Sequence, residues 1–186
     1  MIIKARAGKG GKALAAYLTG GKNERAEVLE FRNMDAVSLK AAIYDMDILA
    51  EQSRCQNHAL HVQMRAAEGE RLSGEQWRDA ADRYAAAFGL EEHQAALVLH
   101  SNPDGSTHCH IVFNRVHPET LKAADLWQNY KTHKTLARQI ELDYGLQNVT
   151  NEKTQARDHS RAGRPETEQA RRTGENIHDI RERIRR

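Results

Sequence analysis

The 186-residue sequence has only two cysteines, Cys55 and Cys109. That is too few for a disulfide scaffold or a four-cysteine zinc knuckle. No apolar run approaches the ~18–20 residues a membrane-spanning helix needs, which excludes an integral membrane protein of that kind. The start, Met1-Ile2-Ile3-Lys4-Ala5-Arg6, puts charges where a signal peptide has its apolar stretch. There is no internal repeat, and neither charge dominates: 28 Lys+Arg face 26 Asp+Glu, for a net +2. What is left is a soluble, cytoplasmic domain of roughly 100–200 residues with some extra chain.

The charge is present but segregated. Residues 1–25 carry six basic groups and one acidic group, residues 26–150 carry 12 and 18, and residues 151–186 carry 10 and 7. Both ends are basic around an acidic middle, a pattern that can build a local phosphate-binding surface on a nearly neutral chain. A solvated charge pattern without a partner would look the same.

The hydrophobic periodicity predicts a strand over Met1–Ala7, then a basic glycine loop, Gly8-Lys9-Gly10-Gly11-Lys12. No Gly-Lys-Ser/Thr closes that loop, so it is not a Walker phosphate cradle. A short helix follows, with Leu14, Tyr17 and Leu18 on one face and Gly20-Gly21 at its end. An extended piece is expected over Val28–Phe31, and a helix capped by Asp35 with Val37, Leu39, Ile43, Tyr44, Ile48 and Leu49 at helical spacing. His58–Arg65 alternates as a strand, with Leu60, Val62 and Met64 on one face and Ala59, His61, Gln63 and Arg65 on the other. Ser73 and Gln76 form a capping box for a helix through Trp77, Tyr84 and Phe88 to Gly89. Two strands, Ala95–His100 and Thr107–Arg115, flank the turn Asn102-Pro103-Asp104-Gly105. A last helix is expected over Tyr130–Tyr144, with Leu136, Ile140 and Leu142 apolar. This order predicts an α+β fold, a two-layer sandwich whose largely antiparallel sheet carries helices. The domain is expected over 1–149, and 150–186 as a charged, Arg-rich helical or disordered extension toward missing C-terminal domains.

Six of the ten histidines lie between positions 93 and 133. His108 and His110, two apart on a strand, leave the same face, while Cys109, Ile111 and Phe113 point to an apolar layer. The hairpin returns His100 beside His108, so three imidazoles converge through local structure alone. Three neutral imidazoles with positions left over describe a catalytic metal site better than a structural one. Mn, Zn, Co and Ni suit these ligands at least as well as Mg.

The stretch from His100 through His108-Cys109-His110 to Asn114-Arg115-Val116-His117-Pro118 resembles the third motif of conjugative relaxases. These are plasmid mobilisation nucleases of the HUH endonuclease superfamily, and the likeness covers roughly residues 1–150. It points to the branch with a single N-terminal catalytic tyrosine. The resemblance implies that Tyr17 is the nucleophile, that His100, His108 and His110 hold a divalent ion, Mn or Mg, and that the product is a 5′-phosphotyrosyl DNA with a free 3′-OH. Packed between Leu14 and Leu18, Tyr17 would also make an ordinary core aromatic. Lys4, Arg6, Lys9, Lys12 and Lys22 would contact phosphates of single-stranded, origin-of-transfer DNA, with Arg115, Lys131 and Lys134 secondary. Arg65 stands where relatives often carry Ser, and can bind phosphate or be a surface residue. Asn102 stands where they often carry an acid, which leaves Asn102 or Asp104 as a possible relay. His58 and His61 face opposite sides of their strand, so at most one approaches the metal. Accessory relaxosome proteins and a coupling protein are the implied partners. Three other functions remain open at this point. They are a rolling-circle replication initiator, in which the tyrosine typically follows the histidine motif, a non-catalytic metal-stabilised DNA-binding protein, and a hydrolase of small phosphoesters.

Overall fold

Five strands, β1 (Ile2–Gly8), β2 (Arg25–Arg32), β3 (Ala59–Arg65), β4 (Ala95–Ser101) and β5 (Thr107–Asn114), form one sheet ordered β1-β3-β5-β4-β2. Every pairing is antiparallel. The structure is a computed structural model and describes residues 1–20, 25–127, 129–149, 170 and 172–174. The elements named here belong to one compact unit, Met1–Thr150. Lys22 and nearly all of the expected extension lie outside the described residues.

Four helices complete this unit: α1 (Gly11–Leu18), α2 (Leu39–Glu51), α3 (Gly74–Phe88) and α4 (Asn129–Tyr144). The sequence predicts a two-layer sandwich; the structure has the same antiparallel sheet with helices on both of its faces, which makes three layers. On one face Leu60, Val62, Met64, Leu97, Cys109, Ile111 and Phe113 pack with Trp77 and Tyr84 of α3 and Leu136 and Ile140 of α4. On the other, Ala59, Ala96, Val98 and Val112 meet Ala15 and Leu18 of α1 and Leu39, Ala42, Ile43 and Met46 of α2. The cause lies in β4, where Leu97 and Val98 point opposite ways and are both fully buried. A strand that is apolar on both faces needs cover on both.

Local signals set the element ends. Gln76 N–H donates to Ser73 Oγ at 3.2 Å and Ser73 N–H donates to Gln76 Oε1 at 2.8 Å, completing the capping box of α3. Gly89 ends that helix in the left-handed region, φ 62°. The cap of α2 is Ser38, whose Oγ accepts from Ala41 N–H, and not Asp35, which sits three residues upstream and is exposed. Leu142 is 77% exposed on α4 and Tyr44 is 64% exposed on α2, so neither belongs to the core that the helical spacing suggests.

Candidate metal centre and nucleophile

The site grows out of the β4–β5 hairpin. Its turn is closed by Asn102 N–H donating to Ser106 C=O and by Gly105 N–H donating to Asn102 C=O, both at 2.9 Å. Asn102 Nδ2 also donates to Ser106 Oγ at 2.9 Å, and Asp104 Oδ1 accepts from Ser106 N–H at 2.8 Å. The two relay candidates thus bond within the turn. Those bonds hold the Asp104 carboxyl below its usual range, with the Arg65 charge as a smaller cause.

With the turn fixed, His100 pairs directly across from His108, and His110 lies opposite Gln63 of β3. The rings gather tightly: centroids are 4.4 Å apart for His100–His110, 4.8 Å for His108–His110 and 5.2 Å for His100–His108. One nitrogen from each lies within 4.8 Å of the others, and all three residues are buried. Metal–nitrogen bonds of ~2.1 Å imply nitrogens about 3–4 Å apart around one cation, a modest contraction. His110 Nε2 is buried without a hydrogen-bond partner among the described residues. His100 Nε2–H donates to the Leu18 carbonyl at 2.8 Å, so its Nδ1 carries the lone pair in the neutral ring. The donor set fits a divalent ion.

Burial keeps the His110 ring uncharged. It pushes the His110 pKa down to about 3, helped by His61, His100, His108 and Arg65. It lowers His61 as well, with His100 the second cause. Neutral imidazole is the form that binds metal.

Tyr17 projects from α1 beside this cluster. Leu18 and Ala15 are buried under the helix, whereas Tyr17 is 58% exposed, so it does not anchor the core. Its ring meets His61 edge-on at 5.6 Å and His110 at 5.7 Å. A cavity of about 490 Å³ lies beside it, with Arg6, Lys9, Leu14 and Ala59 among its lining residues. Helix α1 is placed by the glycine loop. A Cβ on Gly10 would lie 2.2 Å from Asp47 Oδ1 and 3.0 Å from His58 Nε2, so the loop sits down only on glycine. Asp47 and His58 bond each other at 2.8 Å, and α2 thereby supports the loop. Sequence reasoning missed this pair because Asp47 reads as an ordinary polar position on a helix.

Of the two histidines flanking the start of β3, His61 reaches the triad and His58 does not. His61 Nε2 lies 2.7 Å from His110 Nδ1, with the rings stacked at 4.9 Å. Lys4, Arg6 and Arg65 are exposed, and the strand register sets them on the same sheet face as the imidazoles. Lys9 and Lys12 are exposed around the glycine loop. Arg115 instead donates to the carbonyls of Asn57 and Ala124, at 3.1 and 2.8 Å. Fully buried Asn114 clamps the end of β5 by donating to Met46 C=O and Gln94 Oε1, at 3.1 and 2.9 Å.

A family profile described as "Relaxase: MobA/VirD2-like, nuclease domain" matches residues 17–146, a span that holds Tyr17 and all three histidines. The chain belongs to the relaxases. The matched profile describes the nuclease domain of that family. The chain is 28% identical over 154 residues to Protein TraI of Escherichia coli, covering 80% of this chain and 21% of TraI. It is 34% identical over 117 residues to Protein MobA of Acidithiobacillus ferrooxidans, covering 61% of this chain and 28% of MobA. The relaxase chain therefore spans well under a third of these relatives. Its fold is shared with the MobM relaxase domain, solved bound to plasmid pMV158 oriT DNA with Mn. The TM-score is 0.50 at 17% identity, over 86% of this chain and 96% of that one. Among the described residues no helix is long and apolar enough to cross a membrane.

Proposed function

We propose that this chain is the catalytic part of a relaxase that nicks one DNA strand at a plasmid origin of transfer, with Tyr17 as the nucleophile. The observation that carries the reading is an exposed phenol set edge-on to His61 and His110, beside three imidazoles whose nitrogens gather within 4.8 Å. MobM, solved with oriT DNA and Mn, supports DNA and a divalent ion as the partners.

Tyr17 Oη attacks the scissile phosphorus as the phenol gives up its proton. The Oη–P bond forms, the P–O3′ bond breaks, and the 3′ oxygen leaves as a hydroxyl after taking a proton. The 5′-phosphotyrosyl link retains the bond energy, so a 3′-OH can later attack it, release the phenol and rejoin the strand. A phenol of pKa ~10 is a weak nucleophile at neutral pH. Mn or Mg held by His100, His108 and His110 supplies charge neutralisation at the phosphate when bound. Lys4, Arg6, Lys9, Lys12 and Arg65 hold the strand by its phosphates, and Lys22 is assigned with them on sequence alone. Asn102 and Asp104 serve by holding the turn that sets His100 opposite His108. We assign the reaction to residues 1–149, in the cytoplasm, with accessory relaxosome proteins and a coupling protein as further partners.

The test is a single-stranded oligonucleotide carrying the nick site, incubated with the chain and Mn and run on a denaturing gel. A covalent protein–DNA band is expected from the wild type, none after chelation and none from Tyr17→Phe. An adduct that persists in Tyr17→Phe overturns the assignment.

A further inference from the structure

His61 lies outside the triad, yet it touches both the triad and the nucleophile. It stacks on His110 with 28° between the ring planes and meets Tyr17 edge-on. On the sheet it faces Val112, which makes it the diagonal neighbour of His110 across the β3–β5 pairing, within reach of a long side chain.

The 2.7 Å contact joins His61 Nε2 to His110 Nδ1, and two neutral rings share one hydrogen there. Only two arrangements exist. If His61 donates, the neutral His110 ring carries its own hydrogen on Nε2, and that nitrogen has no lone pair for a cation. If His110 donates from Nδ1, its Nε2 lone pair is presented and His61 Nε2 is the acceptor. His110 Nδ1 is taken up by His61, so Nε2, buried and without a hydrogen-bond partner among the described residues, is the nitrogen left to ligate.

We propose that His61 is a positioning residue, the acceptor that holds His110 in its Nδ1–H tautomer with Nε2 aimed at the cation. Metal-bound histidines are usually oriented by a carboxylate or a backbone carbonyl. Here a fourth imidazole has that task, and its other ring contact is the phenol. The inference rests on the metal reading of the triad given above.

The test is calorimetric titration of the chain with Mn alone, for wild type, His61→Phe and His61→Gln. Phe keeps the ring packing and lacks the acceptor; Gln supplies an amide oxygen that accepts Nδ1–H. Loss of an orienting partner weakens metal binding about 10–100-fold, the effect expected for Phe, with most affinity retained in Gln. Equal Mn affinity in Phe and wild type overturns the role of His61 and leaves the metal site standing. Equal losses in both variants also overturn it, because packing and not the acceptor would then matter. A wild type that binds no Mn overturns the metal reading and this inference together. Imidazole 15N NMR of the metal-free wild type needs no variant: a hydrogen on His110 Nδ1 is expected, and one on Nε2 contradicts the proposal.

Discussion

Strand β5 holds two different materials one residue apart. Cys109, Ile111 and Phe113 sit in the apolar layer with Trp77 and Tyr84, whereas His108 and His110 face the opposite side, with His110 beside Tyr17. The first face derives its energy from area removed from water; the second is a set of buried polar rings that are useful only when something binds them. Because side chains alternate along a strand, the reactive groups are bolted to the back of the best-packed layer without interrupting it. Chemistry and stability should therefore separate when the two faces are mutated independently.

The largest expected effect is on the apolar face. Phe113→Ala should cost about 3–5 kcal/mol. For a chain of this size each kcal/mol moves Tm by roughly 2–4 °C. Tyr17→Phe, an exposed change, should move Tm by less than about 2 °C while removing the adduct. Thermal melts of both variants check the contrast, and a small loss for Phe113→Ala would erase it.

A smaller effect comes from pH, and both faces share it. Burial lowers the pKa of His110 and His61 on the site face, and of His93 and of His133, which bonds Tyr84 between α4 and α3 at 3.0 Å. In the unfolded chain these rings titrate near ~6.5. Below that the unfolded chain takes up protons that the fold refuses, down to about 3 for His110, so stability is lost as pH falls. Melts in chelator should give a lower Tm at pH 5 than at pH 7.5. A flat profile would mean that these rings are solvated.

The smallest effect belongs to the basic groups on the site face. Lys4→Ala with Arg6→Ala should leave Tm unchanged. The slope of log K against log salt for single-stranded DNA should become shallower by about 0.7 for each phosphate that these side chains neutralise in the wild type. An unchanged slope would separate these residues from the DNA path.

Much of this arrangement could be read from residues alone because it is local. The hairpin turn and the two-residue period of β5 are contained in fifteen consecutive residues, His100–Asn114, and they fix the triad. The capping box at Ser73 and Gln76 is local in the same way. What escaped depends on distant partners. His61 meets His110 only because β3 pairs with β5, 49 positions along the chain. The Asp47–His58 support under Gly10 joins a helix, a strand start and a loop. Asp35 and Ser38 are both good capping types, and only the backbone path selects Ser38. The second layer of helices did have a signal, the unbroken apolar run Ala95–Leu99, which alternation alone does not explain.

The position of the covalent bond tests the account most directly, because other tyrosines are also open to solvent: Tyr44 is 64% and Tyr130 62% exposed. The adduct, trimmed by nuclease and protease, should give a tandem mass spectrum with the phosphonucleotide on Tyr17. A nucleotide on Tyr44, Tyr130 or a histidine would contradict the account.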